Sequence, residues 1–207
     1  MVCKQIFGDI FDREYRNSQT CIVHQCNCVA LKPDGLSRHI ILTLGNYANI
    51  YSSRKAISRN IATIDARYEP GTIKVCRGSP NIIALFGQFL FGKSSPRLQL
   101  RWGKCIIGKI DSHFDKGFLS DTQGNRLLYF RNGLTNLLKY LIQHNRDDDT
   151  NLKRVRTIIF PYKIGCGRTG GKWKKYKKEI RRFAKQLSLS SKRSKCIPYN
   201  VYILKKD

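Results

Sequence analysis

IIFPYKIGCGRTGGKW, Ile158 to Trp173, joins three signals in one stretch. An apolar run typical of a buried strand comes first. Four glycines follow within seven residues, Gly165, Gly167, Gly170 and Gly171, and a basic segment starts immediately behind them. Glycines in such a turn let the chain fold tightly and bring backbone N–H groups close to a ligand. A helix start behind them adds unpaired amides and the positive end of a dipole, so phosphate is the natural guest. Glycine-rich strand–helix turns also serve packing alone, and the residues by themselves leave both readings open.

The familiar nucleotide motifs do not fit this loop. A P-loop needs Gly, four residues, then Gly-Lys and a hydroxyl residue. Counting back from Gly171 and Lys172 puts Cys166 where the first glycine belongs, and Trp173 stands where the magnesium-binding hydroxyl belongs. The dinucleotide fingerprint belongs to the first strand–helix turn, with an acidic residue about 20 positions later. Here the loop lies near the end of the chain and lysines follow it.

A second strand–loop–helix unit lies near the start. TCIVHQCN, Thr20–Asn27, reads as a buried strand, CVALKPD as its loop and GLSRHIILTLG, Gly35–Gly45, as a helix. Leu36, Ile40, Ile41 and Leu44 share one side of that helix. Asn27 sits where the strand emerges, and ligands of open α/β sheets bind outside the carboxyl ends of strands. Two glycine-containing loops behind two apolar strands are placed to flank one diphosphate.

Outward from these units the pattern is α/β. KQIF opens as a strand, and GTIKVCRG and NIIALFGQF read as two strands joined through Gly78-Ser79-Pro80. NYANIYSSRKAISRN reads as irregular or partly helical. Residues 92–123 lack periodicity and suggest an irregular basic connection. Asn125–Gln143 carries a leucine-rich helical face interrupted by Gly133. A strand in VRTIIFPY, a helix from Trp173 and a closing strand in NVYIL complete one domain over 1–207. The expected architecture is a three-layer α/β/α sandwich with a central mixed sheet.

Composition excludes several classes. No run approaches the roughly 20 apolar residues of a membrane span, and no signal-peptide core opens the chain. The eight cysteines form no CxxC pair, so they read as reduced thiols of an intracellular protein, cytoplasmic or nuclear. Alternation puts His24, Cys26 and Cys28 on one side of a strand. Structural zinc favours paired spacings, and small buried thiols are common core residues; the expectation is core packing, with no metal and no cofactor.

Charge is the second large feature. The chain carries 39 Lys and Arg against 14 Asp and Glu, a formal net charge of +25. Lys172 to Lys195 holds eleven of those bases and a single acid, Glu179. Trp173, Tyr176, Ile180, Phe183 and Leu187 recur at helical spacing, so one face packs and the other is basic. A charge run is usually a solvated face, but such faces mix signs. This one attracts polyanions, whether nucleic acid, poly(ADP-ribose) or an acidic protein surface. No RNP, zinc-finger or homeodomain motif accompanies it, so nucleic-acid binding through it is not sequence-specific.

These motifs together resemble the macro domain, the ADP-ribose-binding module. GDIF (Gly8–Phe11) resembles the family's opening after the first strand, IVHQCN its strand ending in asparagine, and GLSRHI the glycine-led helix of its first loop. FPYKIGCG with Trp173 resembles the second loop, especially in the branch related to ADP-ribose-1″-phosphate phosphatases and ADP-ribosyl-glutamate hydrolases. The resemblance covers nearly the whole chain and implies a monomer that binds ADP-ribose or ADP-ribosylated protein.

Site roles follow from that resemblance. It implies that Asp9 accepts the adenine amino group, with Ile10 beside it, and that Asn27 faces the distal ribose. Gly35, with Leu36 and Ser37 at the helix start, approaches the diphosphate from one side. Gly165, Cys166, Gly167, Arg168, Thr169 and Gly170 close over it from the other. Tyr202 matches an aromatic that packs on adenine in some relatives, or is a core tyrosine. Catalysis is where the resemblance thins. Ser37 stands where one hydrolytic branch carries an aspartate, and Gln88 and Thr169 align with the lysine and aspartate of the glutamate-specific hydrolases. Neither replacement supplies a lysine-type nucleophile or a carboxylate base. Asn27, His24 and Asp34 remain as candidate catalytic groups, with ADP-ribose 1″-phosphate or ADP-ribosyl-protein bonds as substrates. Binding is better supported than turnover.

Overall fold

The computed structural model describes residues 3–58, 60–94, 121–146, 154–193 and 198–206. The strands are β1 Lys4–Phe7, β2 Thr20–Asn27, β3 Ala56–Ser58, β4 Ile61–Ala62, β5 Ile73–Cys76, β6 Asn81–Gln88, β7 Thr157–Pro161 and β8 Asn200–Lys205. The helices are α1 Leu36–Leu44, α2 Gln123–Arg146 and α3 Trp173–Arg193. Six strands form one mixed sheet in the order β1-β8-β7-β2-β6-β5. Every neighbouring pair in it is parallel except β5 with β6.

The inner strands β2, β6 and β7 read as largely apolar runs because both of their faces are covered, whereas the edge strand β1 is mostly exposed. On one face Cys21, Val23, Ile83, Leu85, Ile158, Phe160, Val201 and Ile203 meet Phe130, Leu134, Leu137 and Leu141 of α2 and Ile180, Phe183 and Leu187 of α3. On the other, Ile22, Cys26, Ile82, Ala84, Phe86, Ile159 and Leu204 meet Ile40 of α1, with Ile50, Tyr51 and Ile61 from the segments around it. Helices therefore lie on both faces, an arrangement compatible with three α/β/α layers.

Several boundaries move. The expected helix over Gly35–Gly45 is α1, Leu36–Leu44, with both glycines outside it. NYANIYSSRKAISRN is partly helical, with a 3-10 turn at Asn46–Ala48, and it also supplies β3 of the two-stranded β3–β4 sheet, a strand not expected from the sequence. Gly133 does not interrupt α2, which runs unbroken through it. A Cβ on Gly133 would lie 2.5 Å from Leu85 Cγ, so the glycine lets the helix press against β6. Of the connection expected over 92–123, residues 95–120 lie outside the described residues, as do Cys105, Cys196 and the last two residues of the basic stretch 172–195.

Candidate functional site

β1, β2, β7 and β8 run in the same direction, so their carboxyl ends emerge together at one edge of the fold. Two adjoining hollows lie there. One, of about 350 Å³, is lined by Asn27 and by both loops, including Asp34, Gly35, Leu36 and Ser37 on one side and Gly165, Gly167, Arg168 and Thr169 on the other. The second, of about 330 Å³, is lined by Asp9, Ile10, Phe11, His39, Leu204 and Lys206. Leu36, Pro161 and Tyr162 line both, so the hollows form one elongated cleft.

The second loop is rigidly built. Gly165 has φ +69°, a left-handed conformation that favours glycine, and a Cβ there would sit 2.4 Å from Gln25 Oε1. A Cβ on Gly171 would lie 2.2 Å from the Gly165 carbonyl oxygen. These two glycines serve packing. Gly167 does not: its φ is not in the left-handed region and nothing lies within 4 Å of its Cβ position. The Gly171 amide donates to Gly165 O at 3.1 Å, and Thr169 Oγ1 donates to the same carbonyl at 2.5 Å. Among the described residues the consecutive amides of Gly167, Arg168 and Thr169 have no acceptor. These three amides are therefore available to a ligand's acceptors.

Beneath this loop lies a buried ion pair between Asp121 and Arg126, each about 1% exposed. Asp121 accepts from the Phe89 and Leu90 amides, both at 3.0 Å, and Arg126 donates to Gly92 O at 2.7 Å and Thr169 O at 3.2 Å. The pair therefore ties the chain beyond β6 to the second loop.

The first loop is looser at its rim. Gly35 has φ +54° and open space around it, and it caps α1 without any side-chain hydrogen bond. The leading amides of α1 are left without intrahelical partners, as at any helix start. Asp34 is 72% exposed and forms an ion pair across the cleft mouth with Arg168, which is 74% exposed. The Gly35 amide, donating to Asp34 Oδ1 at 2.7 Å, and then Arg168 hold the Asp34 carboxyl below its usual range despite partial desolvation.

Deeper, Asn27 Oδ1 accepts from the Ala30 amide at 2.7 Å and shapes the turn that leaves β2. Buried Arg54 donates to the Ala30 and Asn27 carbonyls and lies 4.7 Å from the Tyr51 ring centre and 5.3 Å from that of Tyr68. Burial pulls its pKa down, but a guanidinium stays charged in proteins. No carboxylate among the described residues pairs with it, so it sets positive charge behind Asn27.

His24 is buried and does not line the cleft; its Nδ1 lies 3.3 Å from Ser37 Oγ and 3.4 Å from Cys26 Sγ. Desolvation pushes its pKa down to about 4, so it is neutral at pH 7. Tyr51 donates to Ser37 Oγ at 3.4 Å. These side chains form a plug under the first loop. Burial raises the Cys26 thiol to about 12 and Cys28 well above its ordinary value, the protonated state of core thiols.

At the other end, Asp9 Oδ1 accepts from the Phe11 amide at 3.0 Å and Oδ2 from Lys206 Nζ at 2.8 Å. Burial pulls the Asp9 carboxyl upward, and the hydrogen bonds from Lys206 and Phe11 outweigh it and hold it below its usual range.

The structure thus brings Asp9, Ile10, Asn27, Asp34, Gly35, Leu36, Ser37, Gly165, Gly167, Arg168 and Thr169 to one cleft, with Gln88 in its lining. Four expected residues fall outside that lining. His24 is covered by Ser37. Cys166 turns its thiol to Ile164 O at 3.3 Å, burial raising it to about 11. Gly170 backs onto Lys93 and Gln123. Tyr202 pairs with Lys4 and Ile159 in the sheet and lines a separate hollow near the opposite strand ends, because Leu204, two residues on, occupies the position at the cleft.

Tyr162 is the aromatic that sequence reasoning missed. It lies where both hollows meet, with the Trp173 ring edge-on at 5.1 Å and Lys163 Nζ 5.4 Å from its centre. Its place directly after the apolar core of β7, as Asn27 ends β2, was the available signal. Nothing local marks Asp121, Arg126 or Lys206. No protein-family model matches the chain, and no curated protein matches it significantly.

Proposed function

We propose that this protein is a macro-domain-like module whose cleft binds ADP-ribose, free or attached to protein. The observation that carries the reading is Gly167. Neither packing nor backbone conformation demands a glycine there, and it opens a run of three acceptorless amides at the cleft wall. A side chain at that position would fill the space a diphosphate needs. The α1 start on the facing side and the buried Arg54 add to the positive potential. In this pose the adenine ring lies against Tyr162, and its amine reaches Asp9 Oδ2 by displacing Lys206, an exposed ammonium that exchanges readily. The distal ribose lies by Asn27.

Turnover of ADP-ribosyl-protein bonds is slow or absent in this reading. His24 is neutral, covered and away from the cleft lining, and Asp34 is an ion-paired carboxylate at the rim. Release of the 1″-phosphate is the favoured exception, since it needs positioning and charge stabilisation, which the amide run and Arg168 supply.

Calorimetric titration with ADP-ribose tests the proposal. We expect one saturable site that persists in moderate salt, and an Asp9→Ala variant about tenfold weaker, since a hydrogen bond to a charged group contributes roughly 1.5–3 kcal/mol. Absence of binding sinks the assignment; equal affinity in the variant removes the orientation.

A further inference from the structure

The outer face of α3 carries a line of cations that the cleft does not use. Lys174, Lys178, Arg181, Lys185 and Lys192 are all exposed. At about 100° per residue they fall within about 60° of one another and extend about 27 Å along the axis. Lys175 and Arg182 flank this stripe and are also exposed. The opposite side is the buried one, with Tyr176, Ile180, Phe183 and Leu187. Solvated helix faces are neutralised by acids three or four positions away. The only acid in α3 is Glu179, and it is drawn aside into a bidentate contact with Arg131 of α2, at 2.9 and 3.1 Å. Among the described residues, no ion pair involves a stripe cation. Lys174 with Lys178, Lys178 with Arg182 and Arg181 with Lys185 are instead like-charge neighbours at i, i+4, a repulsion that a bound polyanion relieves.

We propose that this stripe is a docking surface for the phosphate backbone of double-stranded nucleic acid. Two features select that partner. The cations are fixed on one rigid helix packed into the core, so they form a straight row rather than a mobile tail. The stripe has no aromatic member: Tyr176 and Phe183 of α3 are buried, and Trp173 is half-buried against Tyr162 off the stripe, so the stripe itself offers no platform for stacking unpaired bases. Side chains that contact only phosphates position a duplex without reading its sequence. The formal net charge of +25 adds long-range attraction to the same partner.

The test uses the full chain and two fluorescent 20-base-pair duplexes of unrelated sequence, with anisotropy read over a salt series. Equal affinity for both duplexes is expected. The slope of log K against log salt should be about −4.5 for five phosphates neutralised. In a Lys178→Gln/Arg181→Gln/Lys185→Gln variant that slope should shrink by about 2.7, with affinity at least tenfold weaker. ADP-ribose titration should be unchanged and the thermal midpoint should not fall, rising slightly as the like-charge pairs are relieved, which separates this surface from the cleft and from misfolding. Unchanged duplex binding in the variant overturns the proposal. So does equal or tighter binding of a single strand, poly(ADP-ribose) or poly-glutamate of matched charge, or a strong preference between the two duplexes.

Discussion

The two loops that face each other across the cleft are held by opposite means. The second loop rests on a buried ion pair, two glycines packed against their neighbours and a threonine hydroxyl bonded back to the loop's own backbone. The rim of the first loop has an open glycine and an exposed ion pair reaching across to Arg168, with its internal bonding concentrated in the plug below. In the binding reading this is a division of labour. A wall that must present amides at fixed positions is over-determined, because a misplaced donor loses most of its worth. A rim that must admit a ligand is left with contacts that break easily.

The largest effect that would break this comparison lies under the second loop. Asp121→Ala leaves Arg126 buried without its partner, and such losses cost about 3–5 kcal/mol. For a chain of this size each kcal/mol moves the thermal midpoint by roughly 2–4 °C, so a fall of about 10 °C is expected by calorimetry. A change below about 2 °C would show that the pair does not brace the loop.

The plug under the first loop should reveal itself through acid. His24 is neutral in the folded protein with a pKa of about 4, while an unfolded histidine takes a proton near 6.5. Above pH 6.5 neither state binds that proton and the stability is intact. As pH falls from about 6.5 to 4 only the unfolded chain binds it, so stability drops by up to about 3 kcal/mol and then levels. Urea midpoints across that window should fall less steeply in a His24→Leu variant. Parallel profiles for the two proteins would remove His24 as the cause.

Gly167 and Gly171 sharpen the contrast within one loop. Gly167→Glu should keep the wild-type midpoint and abolish ADP-ribose binding, by filling the space and by repulsion of phosphate. Gly171→Ala should instead lower stability by about 1–3 kcal/mol, since its new Cβ meets backbone. If Gly167→Glu still binds normally, the wall does not hold the diphosphate.

What the residues made legible follows the same division. β2 and β7 were readable because strands buried on both faces are largely apolar, and the glycine loops because their spacing is local. Gly133 was misread because its reason lies on another element, in Leu85. Tyr202 illustrates a subtler limit. It packs with the core on the α1 side of the sheet, as Leu204 does, but only the strand register shows that Leu204 reaches the cleft while Tyr202 sits toward the opposite strand ends. The Asp121–Arg126 pair lies close in sequence, yet nothing local says that it binds Gly92 and Thr169. Long-range partners decide which of the candidates line a site, and no spacing encodes them.

The smallest effect concerns the rim, and it separates two roles for Asp34. Because its ion pair with Arg168 is exposed on both sides, Asp34→Asn should change stability by only about 0–1 kcal/mol. Its effect on binding has the opposite sign from an ordinary lost contact. The carboxylate stands at the mouth of a cleft proposed to take a diphosphate, and its pKa is held low, so it is negative at neutral pH. Removing that charge relieves repulsion and frees the Arg168 guanidinium for phosphate. Within the range of surface electrostatics this amounts to up to about fivefold tighter ADP-ribose binding at low salt, fading as salt is raised. If Asp34 were instead a proton-transfer group, the same variant would lose turnover of ADP-ribose 1″-phosphate by orders of magnitude. Paired measurements of affinity and phosphate release in Asp34→Asn therefore decide between a gate and a catalyst. A tighter complex with undiminished release identifies the gate, and abolished release with unchanged affinity would transfer Asp34 to the chemistry.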